Sequence, residues 1–473
     1  MAMTREAAFR GDAARTRRAL LGASAAVAGA SVLVACAGPG ATGGSGDAAN
    51  VTARSGRLTG KLTFWSQSGS FSRFTEGVGA DQVRSFREMH PQLDLDVQDI
   101  LPGGVTQHLE KLYAAAIGDE IADLYLASRN AIPELAVNGT ALALDAYVKR
   151  SPALKREDMW PSHIADASWK GTLYGITHST GVWVLFQNDS LWQEAGLDPA
   201  EAPKAWDDLA AVARKATRPG ATPGEIDRVG YHPTWHNGGV VTWLMHLRQL
   251  GSDYFTADFR PSFGGEQGIR ALEFMRRFID MHGGWEALAK VQQEVTGAVT
   301  SRKTGWNFGS RRIATQMDSH TIMTTLRQDF PDIKYSVAPL PVPKGGKRSG
   351  LQGGTALAIA PQSKQRDAAW ALIEHLMKPE HILRFSEELD RIPSRRSVAN
   401  SAAYLQTDPT RKVLIDEVPH AHWLPPVPGN SEIQTIVTGI VHDALQGKRS
   451  VREALQEGEA QTRVWGDKWR QHL

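Results

Sequence analysis

Three observations in this sequence predict an α/β fold built from two domains. Between residues 61 and 126, short β-rich runs alternate with helical patterns, which implies βαβ units and a mostly parallel sheet. Val182-Trp183-Val184-Leu185-Phe186 is a strongly apolar strand in the middle of the chain. With 473 residues, 41% of them hydrophobic, the chain can bury a large core, and its length exceeds what one domain usually needs.

The folded part begins at Lys61-Leu62-Thr63-Phe64-Trp65, a short β-rich run. Val83, Phe86 and Met89 then recur at three-residue spacing, as on a helix face, and Pro91 stops that helix. Leu93, Leu95 and Val97 alternate with polar residues, the pattern of a strand. Leu109, Leu112, Tyr113 and Ala116 mark a second helix, ended by Gly118, and residues 121–126 form the next strand. Beyond the 182–186 strand, helices are expected over 206–217, behind Pro203, and over 266–281, where Ile269, Leu272, Met275 and Ile279 share a face. Tyr335-Ser336-Val337 and Leu357-Ala358-Ile359 read as strands, joined by a link that turns at Pro341, Pro343, Gly345 and Gly346. Helices over 369–377, 382–389, 433–444 and from Val451 onward make the C-terminal third helical. There is no short internal repeat.

The first residues read as a targeting segment. Residues 1–18 hold five arginines and two acids, a formal +3, and residues 19–35 carry no charge. That is a basic region followed by an apolar one. The apolar run is a little short for a membrane span, which needs about 20 residues. Leu33-Val34-Ala35-Cys36 resembles the bacterial lipobox, and Cys36 is the single cysteine of the chain. The resemblance implies cleavage before Cys36, a thioether lipid on its sulfur and acylation of the new amino terminus. The other reading is a chance cysteine at the end of an anchor helix. The Gly-rich tract to about Gly56 is then a flexible tether. Thr16-Arg17-Arg18-Ala19-Leu20-Leu21 resembles a twin-arginine export signal; an ordinary basic leader that happens to pair two arginines is the alternative.

The whole chain is formally +2, so residues beyond the leader carry about −1. A nucleic-acid surface would show a clear basic excess, and none is present. A mature chain with one cysteine forms no internal disulfide. Intact G-x-S-x-G, H-E-x-x-H and Walker A motifs are all missing, and Gly77-Val78-Gly79 begins a G-x-G-x-x-G that fails at Gln82. Carboxylate pairs are plentiful in any acid-rich chain, so spacing leaves open a secreted carbohydrate-active hydrolase. His420-Ala421-His422 places two imidazoles where one metal ion could meet both, but no acid or thiol cluster supports that, and a structural or rim role is the expectation.

Several segments, in order, resemble the extracellular solute-binding proteins of ABC importers, in the sugar-binding family that includes maltose-binding protein. They are Leu62-Thr63-Phe64-Trp65-Ser66; Gly171-Thr172-Leu173-Tyr174-Gly175-Ile176; Ser179-Thr180-Gly181-Val182-Trp183 and the strand it enters; LWQEAGL at 191–197, with Trp206-Asp207-Asp208-Leu209; Val337-Ala338-Pro339-Leu340-Pro341; Gly353-Gly354; and Asp443-Ala444-Leu445-Gln446-Gly447. The resemblance covers about residues 60–470. It implies the two-lobe, type II periplasmic-binding-protein fold. Residues 1–36 would be the signal peptide, 37–58 the tether, 59–178 plus 357–400 lobe I, and 182–352 plus 405–473 lobe II. The chain would cross between lobes near 179–186, near Gly354 and around 400–410. A saccharide would bind between the lobes, which close on it by a hinge motion. The receptor would then dock on the transmembrane subunits of an ABC permease. No chemistry, cofactor or metal is implied, and the expected form is a monomer held at the outer face of the cell membrane by lipid on Cys36.

A sugar presents apolar C–H faces and an equator of hydroxyls, so its site needs flat aromatics and polar groups that donate and accept. Trp65 ends the first strand, with Gln67, Ser68 and Ser70 behind it, and either stacks on ligand or packs on its own lobe. Ser128, Arg129 and Asn130 follow the strand that ends at Leu126; Arg129 could fork to two hydroxyls or a carboxylate, or the trio could cap a helix. Ser179, Thr180 and Trp183 lie on the first crossing. HPTWHNGG, at 232–239, puts Trp235, His236 and Asn237 where the family keeps a stacking aromatic. Asp318-Ser319-His320 falls where many relatives carry a tryptophan; its loss here implies a different or smaller ligand, with Trp306 a weak substitute. Gln352, Gly353 and Gly354 offer either bare backbone to a ligand or a simple turn. Arg391 and Arg395 match a loop that often reaches the cleft, or form a solvated charge cluster. A glycerol phosphate or a peptide-like ligand is the alternative to a sugar, and would favour Arg129, Arg391 or Arg395 facing the cleft.

Overall fold

The computed structural model describes residues 57–471, apart from 68–73, 101–104, 235–238, 298–305 and 423–429. The leader, Cys36 and nearly all of the tether therefore lie outside the described residues, as do Ser68, Ser70, Trp235, His236 and Asn237. Residues 52–473 make one compact unit.

Its strands are β1 (Gly60–Gln67), β2 (Leu93–Ile100), β3 (Leu124–Ser128), β4 (Ile176–Asn188), β5 (Ile226–Tyr231), β6 (Ile313–Ser319), β7 (Tyr335–Ala338) and β8 (Gly350–Ile359), with a few two-residue pairings besides. They form one sheet in the order β2-β1-β3-β8-β4-β6-β5. The sheet has two parts. In the first, β1 runs parallel to β2 and β3, and β3 lies antiparallel to the end of β8, with Thr355 opposite Ser128 and Ile359 opposite Leu124. In the second, β6 and β7 lie antiparallel to the end of β4, and β5 runs parallel to β6. β4 and β8 belong to both parts and pair with each other from Gln352–Val182 to Leu357–Ile176. β4 has 13 residues, ~43 Å of extended chain. Twelve of its positions are buried, which explains the apolar run Val182–Phe186 in its second half.

Helices cover each part. Gly77–Met89 packs on Arg366–Leu376 and Pro379–Glu388 beside the first. Val240–Gln249, Glu266–Met281, Asn430–Leu445 and Val451–Arg470 pack together on the second. Ile269, Leu272, Met275 and Ile279 are all buried there, as their shared face predicts. The last helix starts with a capping box: Ser450 Oγ accepts the Glu453 N–H, and the Glu453 carboxylate accepts the Ser450 N–H. A third cluster joins Val182, Val184 and Phe186 of β4 to Ile322, Leu326, Leu414 and Val418.

The differences from expectation have physical causes. The strand expected at 121–126 begins at Leu124, and the one expected at 357–359 reaches back to Gly350, because β4 pairs with it from Gln352 to Leu357 and residues 421–422 pair with Gly350 and Leu351. Met89 is 56% exposed rather than on the buried face. The helix Val240–Gln249 is buried on every side, so it has no amphipathic period to betray it. β6 hides for another reason: Thr315, Gln316 and Asp318 are buried among its apolar residues, so alternation fails.

Several histidines are buried in the neutral form. His178 sits between Phe74 and Phe385, at 5.1 and 4.5 Å, and burial lowers its pKa to about 3. His246 packs on Trp206 and Phe274, at 4.9 and 5.2 Å, and burial lowers it to about 4. In the unfolded chain these imidazoles titrate near pH 6.5. Below that pH the unfolded chain binds protons that the folded chain does not, so stability falls as the pH falls. The expected loss between pH 6.5 and 4.5 is on the order of 1.4 kcal/mol per pH unit for each such histidine, read by urea unfolding. His178→Phe should flatten the slope by one histidine's share; an unchanged slope would refute the assignment.

Candidate functional site

The parallel strands of both sheet parts end at the crossing made by β4 and β8. β8 enters the first part antiparallel to β3, with Thr355 opposite Ser128, so the parallel strands β1 and β3 end on the side where β8 comes in. In the second part, Ser319 at the end of β6 lies opposite Trp183, and β5, parallel to β6, ends at Tyr231 opposite Thr315. The carboxyl ends of both strand sets thus face each other across 179–183 and 350–354. Ligands of α/β proteins bind at such ends.

Trp65 stands at this edge, two residues before β1 ends. It is half-buried, and the Lys111 ammonium lies 5.8 Å from its ring centroid, so one contact of the ring is to its own strand group. Beneath it, Ser66 is buried and donates to Asp99. Gln67 closes the strand. Ser128 ends β3 and donates to Asn130 Oδ1 at 2.6 Å.

The next residues form a buried polar frame. Arg129 is 1% exposed; its Nε donates to Asp166 at 3.1 Å and its Nη1 to the Thr180 hydroxyl at 3.3 Å. The Thr180 hydroxyl donates to the Gly353 carbonyl at 3.0 Å. Ser179 and Thr355 share a hydroxyl contact at 3.1 Å. A Cβ on Gly354 would lie 2.1 Å from the Ser179 carbonyl oxygen, so only glycine lets β4 and β8 come this close. His320 closes the other side. Its Nδ1 accepts the Val182 N–H at 3.1 Å, and its own N–H donates to the Val182 carbonyl at 2.9 Å. Burial, then the charge of Arg391, lowers its pKa to about 4, so it is the neutral acceptor this geometry needs.

Asp318 is buried and accepts from Gln316 and from the Ser319 N–H. Gln352 is fully buried, while Gly353 and Gly354 are half-buried. Trp183 is half-buried and packs on the core of the second part. Arg391 is no solvated charge: it is 5% exposed, burial lowers its pKa to about 9, and its carbonyl accepts the Tyr404 hydroxyl. Arg395 is likewise buried, donating to Asp158 and to the Met377 carbonyl.

Arg129, Ser179, Thr180, Gly353 and Gly354 thus come together, with His320 adjoining at Val182, but their polar groups are turned toward one another. The exposed fork expected of Arg129 is instead an inward one. Burial lowers the Arg129 pKa and raises that of Asp166, and the pairing of the two opposes both shifts. Asp166, Thr355 and Gly181 escaped the sequence reading. Asp166 is 37 residues from Arg129, and no local pattern marks it. Gly181 could have been suspected from Ser179-Thr180-Gly181: a Cβ there would meet Thr321 and His320 at 3.1 and 3.2 Å.

Among known proteins, the profile of the family described as bacterial extracellular solute-binding protein matches residues 65–381. An arabinooligosaccharide-binding protein of Bacillus subtilis is 23% identical over 321 residues, 65% of this chain and 67% of the relative. A probable amino-acid ABC transporter periplasmic-binding protein of Sinorhizobium fredii is 24% identical over 353 residues, 72% of each chain. The solved structure of the sugar-binding protein MalE from Xanthomonas citri superposes with a TM-score of 0.73 at 24% identity, covering 87% of this chain and 98% of its own. That likeness establishes the two-lobe fold.

The buried ion pair generates a prediction. Removing one partner strands the other, at a cost of about 3–5 kcal/mol, whereas replacing both with neutral groups of similar size costs less. Arg129→Met should therefore destabilise strongly in urea unfolding, and adding Asp166→Asn should recover part of the loss. Additive losses in the double variant would show that the two groups do not depend on each other.

Proposed function

The chain belongs to the bacterial extracellular solute-binding protein family, and from that premise we propose that it captures a sugar or oligosaccharide between its lobes and delivers it to an ABC permease. The observation that carries this reading is the meeting of two sets of strand ends across a shared crossing, with the half-buried Trp65 at the edge. Relatives named for arabinooligosaccharides and mannitol, and solved neighbours bound to tagatose and mannotriose, support the solute class.

In this reading lobe I is 59–178 plus 357–400 and lobe II is 182–352 plus 405–473. Trp65, Gln67, Ser68, Ser70 and Ser128 face the sugar from lobe I, and Trp183, Trp235, His236 and Asn237 face it from lobe II. Arg129, Ser179, Thr180, Asp318, His320, Gln352, Gly353, Gly354 and Arg391 act mainly by holding the crossing in register. The protein binds and releases its ligand unchanged, without cofactor or metal, as a monomer. Lipid on Cys36 and the tether over 37–58 keep it outside the cell membrane and close to the permease. Multiple acyl chains hold firmly, at about 0.8 kcal/mol per buried methylene.

A second reading has one specific support, the relative named as an amino-acid receptor. Both are tested with residues 52–473, the compact unit, in a thermal-shift screen of mono-, di- and oligosaccharides, glycerol phosphates and amino acids. A ligand at 100 times its dissociation constant adds about 2.7 kcal/mol, which raises the melting temperature by a few degrees. The expected result is a selective shift by one sugar, recovered chemically unchanged. A shift by amino acids alone replaces the sugar reading, and turnover of the sugar replaces the receptor.

Trp65→Ala and Trp235→Ala should each weaken the identified sugar about tenfold or more, roughly 1.4 kcal/mol, with the fold intact by circular dichroism. Wild-type affinity in both variants would refute the site.

A further inference from the structure

We propose a second binding site, for a small oxyanion, in the polar cavity beside the C-terminal end of the helix Val240–Gln249. At that end lies a cavity of about 450 Å³, lined by Arg248, Asp253, Lys347, Arg348, His420 and His422, with Phe255 in its wall.

The charge balance of this lining is what selects an anion. Asp253 is the one carboxylate in it, and it is spent on Arg248, at 2.7 and 3.3 Å. Arg348 is answered by the buried Glu417, which accepts from Nε at 3.0 Å and also from Nη2. Lys347 has no ion pair among the described residues, while its N–H is tied to the Gln249 carbonyl at 2.9 Å. The wall therefore keeps one uncompensated ammonium and two imidazoles around a space large enough for phosphate or sulfate. The frame is rigid: the His422 carbonyl accepts Arg248 Nη1 at 3.0 Å, and residues 421–422 pair with Gly350 and Leu351 of β8. His420 and His422 are the motif the cleft leaves unused.

The site is expected to strengthen as the pH falls. The charged groups around His422 come from every neighbouring element. Burial, then Arg248 and Lys347, push its pKa down; Asp166 and Asp253 pull it up. Burial is the largest of these causes, and the result is a lowered pKa. A bound dianion supplies the missing counter-charge, so anion binding and imidazole protonation favour each other.

The test uses sulfate, which stays a dianion from pH 7.5 to 5.5, titrated into the protein at ionic strength matched with chloride and followed by thermal shift and calorimetry. Saturable binding that tightens about tenfold between those pH values is expected. Lys347→Ala and the double variant His420→Gln/His422→Gln should each weaken binding at pH 5.5 about tenfold, and the double variant should lose the pH dependence. Lys344→Ala, on the same loop but outside the lining, and Trp65→Ala, at the cleft, should bind sulfate normally. Non-saturable binding, equal binding in the lining variants, or loss in Trp65→Ala would overturn the proposal. Comparing inorganic phosphate with a sugar phosphate at pH 5.5 tells a free oxyanion from the head group of a larger solute.

Discussion

Pairing between β4 and β8 is the constraint from which the rest of this molecule follows. Each strand is a member of both sheet parts, so any relative movement of the lobes bends these two strands. The register at the bend rests on Gly354 and on the hydroxyls of Ser179, Thr180 and Thr355, which bond within the crossing rather than to solvent. Arg129 ties Thr180 to Asp166 of the first lobe, and His320 ties Val182 to the second. A register slip of one residue would turn every side chain of β4 to the wrong face. The polar frame is a device against that slip, and it lies where the strand ends meet.

Electrostatics in this molecule are mostly buried and paired. Arg129, Arg248, Arg391 and Arg395 are all nearly inaccessible, and carboxylates or backbone carbonyls meet the guanidinium groups of Arg129, Arg248 and Arg395. Such pairs contribute little net stability against apolar substitutes, but they fail badly when one partner is lost. Their value here is positional. The buried histidines act in the same way, as neutral polar links that stay uncharged because burial disfavours the imidazolium form.

The strand ends could be read from the sequence to within two residues, at Trp65 and Leu126 where the strands run on to Gln67 and Ser128, because alternation and turn residues mark where a strand stops, and in such folds those stops face the ligand. The roles of Arg129 and Arg391 could not. An arginine after a strand reads as an exposed fork whether or not an acid such as Asp166 waits behind it, and Arg391 reads as solvated whether or not the chain buries it. Both partnerships are long-range, so no spacing rule detects them. The helix Val240–Gln249 and strand β6 were equally silent, the one buried all round and the other carrying buried polar residues whose partners come from elsewhere in the fold.

By itself the sequence determined the α/β class, the order of the main elements and the segments that mark the family, because local propensity and hydrophobic period are written residue by residue. The tertiary structure decided which strands serve both lobes, which polar side chains face inward, and which end of a helix gathers uncompensated charge. Those are relations between residues tens to hundreds of positions apart. They come into being only when packing removes water from between them and forces each buried polar group to find a partner.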